Sequence, residues 1–319
     1  MNRAGARLCG IRNYVQLVYH SVNTMGENME RDYVIITDSS NDLPAGYAEE
    51  QGVVIIPISF EIGEEVFDGR EKTLTNKEFY DRMREGQGTK TAAPNINDIE
   101  EEFEKALAAG KDVLFTCLSS GISSTINNAF ICREEMQEKY PDADICVFDS
   151  ICACGGHGML IYHAIENKKK GMSAKENMQA LEALKHHIVH KFTVDDLTYL
   201  QRGGRISKTA AMIGGMIQLK PVLHVDIEGR LAAESKVRGR KKALNQLVSE
   251  MENCVGSYAD KQDMVLICHA DCLEDAEYVQ AKVEEKFHPD KIIISEVGPI
   301  IGAHVGPGTM TLFFLGDKR

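Results

Sequence analysis

The stretch Phe115–Thr125, FTCLSSGISST, decides the fold of this chain. Its first residues continue an apolar run from Val113 to Leu118 that is typical of a short buried strand, and residues 126–139 carry apolar side chains at helical spacing. Between the strand and the helix lie five hydroxyl side chains and a glycine. A strand that leads through a polar turn into a helix is the unit from which parallel α/β sheets are built.

The hydroxyl-rich loop 119–125 is a candidate anion site. Backbone N–H groups at a helix N-terminus have no intrahelical partner, and the helix dipole adds about half a positive charge there, so a carboxylate or phosphate can bind without a lysine or arginine. For any single serine in such a position, an ordinary N-cap is the more frequent explanation. Five hydroxyls in seven positions exceed what one cap requires.

The alternation of strand and helix continues on both sides of this loop. Apolar runs predict strands at 33–37, 53–60, 113–118 and 145–148. Helical patterns predict helices at 76–85, 97–109, 126–139, 159–167 and 174–186. The residues 61–72 are predicted as an exposed turn and 86–94 as a loop. This order predicts a parallel sheet flanked by helices, with ligands at the carboxyl ends of its strands.

After residue 188 the strands have fewer helical links, which predicts a second, mixed sheet with helices at 241–252 and 274–286. The expected fold class is therefore α/β, with an N-terminal α/β domain over residues 29–188 and a C-terminal α/β domain over residues 189–319. Residues 1–28 are expected to be a weakly ordered extension, with Met25 or Met29 as the natural start.

The composition narrows the class of protein. A hydrophobic content of 43% with 26% charged residues is ordinary for a soluble globular chain. The formal charge of −12 disfavours broad binding to nucleic acid, with a local basic patch at 236–242 as the exception. No apolar run reaches the roughly 18 residues of a membrane span, and the first residues are too polar for a secretory signal, so a cytoplasmic location is expected.

The nine cysteines predict free thiols, because their number is odd and no secretory signal precedes them. Two groups suggest metal ligands, namely 152–154 with His157, and 268–272, but neither has the paired spacing of structural zinc sites. The three histidines within 186–190 are interpreted as a solvated helix end. No metal site is expected.

Four motifs follow one another in a characteristic order. They are Thr37–Pro44 (TDSSNDLP), Leu118–Thr125 (LSSGISST), Tyr199–Ser207 (YLQRGGRIS) and His304–Thr309 (HVGPGT). Together they resemble the DegV family, which includes the fatty-acid-binding subunits of bacterial fatty acid kinases, from about residue 33 to the C-terminus. Pro221–Leu223 and Lys236–Arg238 match as well. One departure is that the family's usual Thr-Ser-Gln-Pro is Thr-Ala-Ala-Pro here, at 91–94, so two polar side chains are absent.

The resemblance implies a two-domain α/β protein that encloses a long-chain fatty acid in an apolar tunnel at the domain interface. The residues that match the family's carboxylate ligands are Thr91, Ser120 and His304. Hydroxyl and imidazole groups can donate hydrogen bonds to a carboxylate. Such donors are needed, because an unpaired buried carboxylate costs many kcal/mol while each buried CH₂ returns roughly 0.8 kcal/mol. No cofactor is implied besides the bound fatty acid.

The resemblance also implies a partner, a separate ATP-dependent fatty acid kinase, so the chain is expected to present a substrate rather than to be an enzyme. No Walker-type Gly-Lys-Ser/Thr loop occurs in the sequence. Arg202, Arg205 and Arg238 are interpreted as contacts to the kinase or to phosphate, since guanidinium groups grip phosphate oxygens in pairs. For Arg205 and Arg238, interdomain ion pairs with acidic neighbours are an equally weighted alternative. Transient contact with a membrane is compatible with the same interpretation.

Two other functions stay open at this point. A Ser/His hydrolase of a small acyl ester would use Ser120 as nucleophile and His304 as base, with Asp38 or Asp149 as the orienting residue, but no Gly-x-Ser-x-Gly elbow surrounds Ser120. A transcriptional or signalling module is disfavoured by the acidic charge balance. The apolar stretch 210–217 could cover a tunnel or form a plain buried helix.

Overall fold

Strands and helices alternate through residues 31–206 and 219–319, which are the residues that the computed structural model describes. The strands are β1 (Tyr33–Asp38), β2 (Val54–Ile56), β3 (Phe60–Ile62), β4 (Glu65–Phe67), β5 (Thr89–Thr91), β6 (Asp112–Cys117), β7 (Ile145–Asp149), β8 (Ile188–Thr193), β9 (Leu219–Val225), β10 (Leu231–Arg238), β11 (Val265–His269), β12 (Ile292–Glu296) and β13 (Met310–Leu315). The helices are α1 (Tyr47–Glu50), α2 (Asn76–Arg84), α3 (Ile96–Ala108), α4 (Thr125–Lys139), α5 (Gly155–Lys169), α6 (Ala174–Leu184), α7 (Thr198–Arg202), α8 (Arg240–Cys254), α9 (Leu273–Phe287) and α10 (Pro299–Val305). The predicted extension 1–28 and the stretch 210–217 lie outside the described residues.

The first sheet is parallel and has the strand order β2-β1-β6-β7. Every residue of β6 is buried, as expected for a central strand covered on both faces. Phe115 packs with Phe103 of α3 and Ile126 of α4 on one face, and Leu114 packs with Leu160 of α5 on the other. The predicted parallel sheet with helices on both faces is confirmed.

The second sheet is mixed, with the order β10-β9-β8-β13-β11-β12. Its strands pair antiparallel except for β11 and β12, which are parallel. Helices α8 and α9 cover one face, where Leu247 and Val279 join a core with Val189 and Phe314. The predicted mixed sheet is confirmed, and its other face turns toward the parallel-sheet half of the fold. The domain boundary at residues 188 and 189 stays a prediction.

A third, three-stranded sheet was not predicted. The single strand expected at 53–60 is wrong: β2 ends at Ile56 and β3 begins a separate antiparallel sheet of order β4-β3-β5. Pro57 lies between the two strands and has no N–H to continue a ladder. The turn expected at 61–72 contains β4, and the loop expected at 86–94 contains β5. Thr91 is therefore held in a strand, where it pairs with Phe60.

Helix α5 begins at Gly155, four residues before the predicted start at 159, because its glycines belong to the first turn. The interpretation of the three histidines within 186–190 as a solvated helix end is also wrong in part. His190 is not on a solvated helix end but lies buried in β8. A Cβ built on Gly156 would lie 2.1 Å from His190 Nε2, so only glycine permits this approach of helix to strand.

The described cysteines are free thiols, and all except the partly exposed Cys272 are buried. Within residues 31–206 and 219–319, no group of three or more His, Cys, Asp or Glu side chains is arranged to hold a metal ion. No helix of the described part combines the length and apolar character that crossing a bilayer requires.

Candidate ligand-binding site

An apolar cavity lies between the mixed sheet and the loops at the carboxyl ends of β6 and β7. It contains about 850 Å³ of empty space, counting its opening to solvent. Alternate residues of β8 and β13, including Phe192 and Phe313, form its floor. Leu118 and Ile122 of the hydroxyl-rich loop and Ile300 of α10 contribute further apolar walls.

Thr91 and His304 meet in the lining of this cavity. Thr91 Oγ1 lies 2.8 Å from His304 Nε2, and both residues line the cavity. The position of α10, which carries His304, is fixed from two sides. Thr89 Oγ1 donates to the Ala303 carbonyl at 2.9 Å, and the Tyr80 hydroxyl donates to the Val297 carbonyl at 2.7 Å, just before the helix. Two residues predicted from the sequence as ligand donors are thus brought together.

His304 is neutral at physiological pH. Burial, with a smaller contribution from the positive charge of Arg205, lowers the pKa of His304 to about 4. Its Nδ1 atom is buried and has no hydrogen-bond partner among the described residues. A neutral imidazole has one N–H and Thr91 has one O–H, and their mutual hydrogen bond uses only one of these protons. In either tautomer one proton of the pair stays unused. That proton is open to a ligand when the Thr91 hydroxyl carries it, since Nδ1 is buried.

The serines of loop 119–125 divide into two structural roles. Ser119 is buried, and its hydroxyl donates to the Gly229 carbonyl at 2.8 Å while accepting from the Gly121 N–H at 3.0 Å. It ties the loop to the turn between β9 and β10. Ser123 and Ser124 instead line the cavity. Ser124 is the N-cap of α4, yet its side chain makes no cap hydrogen bond, so a simple capping role does not account for it.

Ser120, the serine predicted as a carboxylate ligand, is placed differently. It is exposed, and its N–H donates to Asp149 Oδ1 at 3.1 Å. Its side chain lines a groove next to the cavity, which it shares with Ser123, Ser124 and Arg205. The structure does not bring Ser120 to the cavity that holds Thr91 and His304. Ser123 and Ser124 come immediately before the helix in the sequence. That position could have identified them as candidate ligand-binding residues.

Asp38 organises the rim of the cavity. Its Oδ1 accepts hydrogen bonds from the N–H and the hydroxyl of Ser40, and its Oδ2 accepts from the Leu118 N–H at 3.1 Å. The carboxylate thereby joins the loop after β1 to the loop after β6. Two of the four sequence motifs meet through this residue, which has a structural role that sequence reasoning did not assign.

Arg205 lies where the cavity and the groove adjoin, and it lines both. Its Nε donates to the Ile122 carbonyl at 3.1 Å and its Nη1 to the Gly203 carbonyl at 2.6 Å. Burial lowers the pKa of its guanidinium. No carboxylate within the described ranges forms an ion pair with Arg205, Arg202 or Arg238, and the last two are exposed. The predicted alternative, ion pairs of Arg205 and Arg238 with acidic neighbours, is therefore absent from the described residues.

The arrangement does not resemble a hydrolase site. His304 bonds to Thr91 rather than to a serine, and Ser120 lies outside the cavity that contains the imidazole. Asp38 is engaged by the two loops, and Asp149 Oδ1 accepts from the N–H groups of Ser120 and Ile151. The nucleophile, base and orienting carboxylate of a triad are not connected.

Comparison with known proteins gives matches over nearly the whole described chain. The model of the DegV family, a family described as uncharacterised, matches residues 32–317. A DegV domain-containing protein of Clostridium perfringens is 40% identical over 290 residues, which are 91% of this chain and 99% of the relative.

Solved structures show the same architecture. A fatty-acid-binding DegV family protein from Thermus thermophilus superposes with a TM-score of 0.79 at 26% identity, covering 90% of this chain and 99% of its own. DegV of Bacillus subtilis, a fatty acid binding protein, superposes with a TM-score of 0.77 at 28% identity, covering 90% of this chain and all of its own.

Proposed function

Since the chain belongs to the DegV family, we propose that it binds a long-chain fatty acid, with the acyl chain in the apolar cavity and the carboxylate at the end marked by Thr91, His304 and Arg205. The observation that carries the proposal is Arg205, a half-buried cation that lines an apolar cavity and forms no ion pair with a described carboxylate. An anionic ligand would supply the negative charge that pairs with this guanidinium. The similar proteins from T. thermophilus and B. subtilis, which bind fatty acids, support the same ligand class.

The polar lining residues at this end form one connected group. Arg205 binds the Ile122 carbonyl beside Ser123, and it binds the carbonyl of Gly203, whose backbone lies against the His304 ring. His304 in turn bonds to Thr91. A carboxylate at this place would find a hydroxyl or N–H donor, a guanidinium and the serines at the start of α4. Ser120 stays a candidate donor from the adjoining groove.

The energetics favour a long tail. At roughly 0.8 kcal/mol for each buried CH₂, a chain of about a dozen methylenes returns on the order of 10 kcal/mol before the costs of association. That gain is realised only when the carboxylate keeps hydrogen bonds in place of those it made with water. The Thr91–His304 pair and Arg205 provide them at one end of an otherwise apolar enclosure.

The proposal extends to presentation of the bound acid to a separate ATP-dependent kinase. A carboxylate oxygen would attack the γ-phosphorus of ATP, the bond to the ADP oxygen would break, and an acyl phosphate would form. Arg205 supports this step because it lies between the cavity and the open groove, which also contains Ser120 and Arg230. The exposed Arg202 and Arg238 are assigned to contact with the kinase. Transient contact with a membrane stays a prediction of the same proposal.

Organic extraction of the purified protein followed by mass spectrometry tests the ligand class, and a bound long-chain fatty acid is the expected result. Delipidated protein should then take up saturated fatty acids in a titration. Protein that is folded by its melting curve but neither carries nor takes up any acyl chain would refute the proposal. Presentation is tested separately, by adding a fatty acid kinase and ATP to the loaded protein and measuring acyl phosphate against a reaction without the protein.

A further inference from the structure

Two aromatic rings close the cavity on the floor formed by the mixed sheet. His190 of β8 and Phe313 of β13 are direct partners across the strand pair, and both line the cavity. Their ring centroids lie 5.2 Å apart and their planes are perpendicular, at 90°. This edge-to-face arrangement is a favourable one for aromatic rings.

The two rings lie partway along the strand pair, three residues from its Met310–Thr193 end. Strands β8 and β13 are antiparallel, and Met310 pairs with Thr193 where β13 begins and β8 ends. In sequence, four residues connect α10, which carries His304, to the start of β13, and four connect the end of β8 to α7, which precedes Arg205. From that pair to the His190–Phe313 pair is three residues along each strand, or about 10 Å. An acyl chain with its carboxylate at Thr91 would therefore run along the sheet toward the two rings.

The rings are fixed from behind by helix α5. A Cβ on Gly156 would lie 2.1 Å from His190 Nε2, and a Cβ on Gly155 would lie 2.7 Å from the Phe313 ring. The backbone of the first helical turn thus lies against both rings. A ring cannot retreat from the cavity unless the helix moves, and movement of a packed helix disturbs the core that it shares with the parallel sheet.

Both nitrogens of His190 are already used within the protein. Nε2 accepts from the Ala153 N–H at 3.2 Å, and Nδ1 donates to the Ile188 carbonyl at 3.1 Å. Burial lowers the pKa of His190 well below its usual range, so the ring stays neutral. The imidazole therefore offers carbon atoms to the cavity and behaves as an apolar wall rather than as a second polar site.

We propose that the His190–Phe313 pair is the stop that limits the length of acyl chain this protein accepts. This inference rests on the proposed fatty-acid binding and adds a specificity for the length of the acyl chain. A chain that ends at the rings buries its last methyl group against them, whereas a longer straight chain must bend back or leave part of its length in solvent. The glycines Gly155 and Gly156 set the position of the stop, because they determine how closely α5 holds the rings.

The test compares two phenylalanines on one strand. Phe313→Leu removes part of the stop, while Phe314→Leu makes the same change on the opposite face, where Phe314 is buried against α8 and α9 and does not line the cavity. Gly156→Ala pushes the His190 ring into the cavity and acts in the opposite direction. Delipidated full-length wild type and the three variants are titrated with saturated straight-chain fatty acids of increasing length, and melting curves verify folding.

Phe313→Leu should raise the affinity for chains longer than the wild-type optimum, relative to that optimum, by about fourfold for each methylene newly accommodated. Gly156→Ala should move the optimum to shorter chains, and Phe314→Leu should leave it unchanged while lowering the melting temperature. The inference is overturned if wild type takes up fatty acids but neither cavity variant changes the length profile, or if Phe314→Leu changes it equally. Absence of uptake by folded wild type would instead refute the proposed function itself.

Discussion

Thr91 and His304 are separated by 213 positions, yet Thr91 Oγ1 lies 2.8 Å from His304 Nε2. Strand β5 holds the threonine and helix α10 holds the histidine, and the Thr89 hydroxyl links these two elements through the Ala303 carbonyl. The donors are therefore positioned before any ligand arrives. Preorganisation of this kind lowers the entropy cost of binding, because few side chains have to be ordered when the carboxylate enters.

Replacing Thr91 tests the donor pair directly. Thr91→Val removes the hydroxyl at nearly constant volume, so we expect fatty-acid binding to weaken by about 1 to 3 kcal/mol through loss of one hydrogen bond to a buried carboxylate. The matched control is Thr116→Val, since Thr116 is buried but does not line the cavity. Titration of delipidated protein measures both. Equal affinities for wild type and Thr91→Val would place the carboxylate elsewhere.

The serine loop offers a comparison of two neighbouring serines. Ser123→Ala should weaken fatty-acid binding more than Ser120→Ala, because Ser123 lines the cavity while Ser120 is exposed in the adjoining groove. The readout is the dissociation constant of each variant for one saturated fatty acid. A larger effect of Ser120→Ala would restore the ligand predicted from the sequence motif and would mean that the carboxylate lies in the groove.

Substitutions of the three arginines can separate fatty-acid binding from presentation of the fatty acid to the kinase. Arg205→Ala should lower both fatty-acid affinity and the rate of acyl-phosphate formation, since this residue lines cavity and groove, whereas Arg202→Ala and Arg238→Ala should lower only the rate. Arg205→Lys should recover little, because an ammonium lacks the planar fork that reaches two acceptors. Arg133→Ala, which removes a partly exposed arginine that pairs with Glu134, controls for the change in charge. Unaltered rates for Arg202→Ala and Arg238→Ala would remove their assigned role.

Asp42 should make stability depend on pH. Burial raises the pKa of this carboxyl from 3.8 to about 7, and its Oδ1 accepts from the Gly298 N–H at 2.8 Å, at the start of α10. Between these two pKa values the folded protein keeps a proton that the unfolded chain has released. The free energy of unfolding should therefore fall as pH rises toward about 7 and level off above it.

Asp42→Asn should flatten this dependence, because an amide keeps the acceptor oxygen and cannot ionise. Melting temperatures of wild type and variant, measured on both sides of about 7, provide the comparison. The exposed Asp260→Asn is the control and should leave the slope unchanged. Parallel curves for wild type and Asp42→Asn would show that Asp42 is ionised in the folded protein.

The sequence by itself determined the two main sheets and the family. Strands β1, β6 and β7 are continuous apolar runs because both faces of the parallel sheet are covered, and such runs are visible within a few residues of chain. The helical spacing of apolar residues in helices such as α4 and α9 is likewise visible within a short stretch of sequence. The motifs that resemble those of the family are local as well. One of them contains His304, and the resemblance also selected Thr91, although Thr91 lies in the stretch that departs from the usual Thr-Ser-Gln-Pro.

Only the tertiary structure decided which polar groups share the cavity. Strand β5 has three residues, too few for a periodic signal, and it exists because it pairs with β3. Ser120 and Ser123 have the same side chain and similar neighbours in sequence, but Ser120 lines only the groove, whereas Ser123 lines both the groove and the cavity. The sequence pattern predicted that His190 belongs to a solvated cluster of histidines. In the structure β8 is covered, and His190 forms an apolar wall of the cavity. Side-chain direction and burial depend on elements distant in the chain, so local patterns contain no record of them.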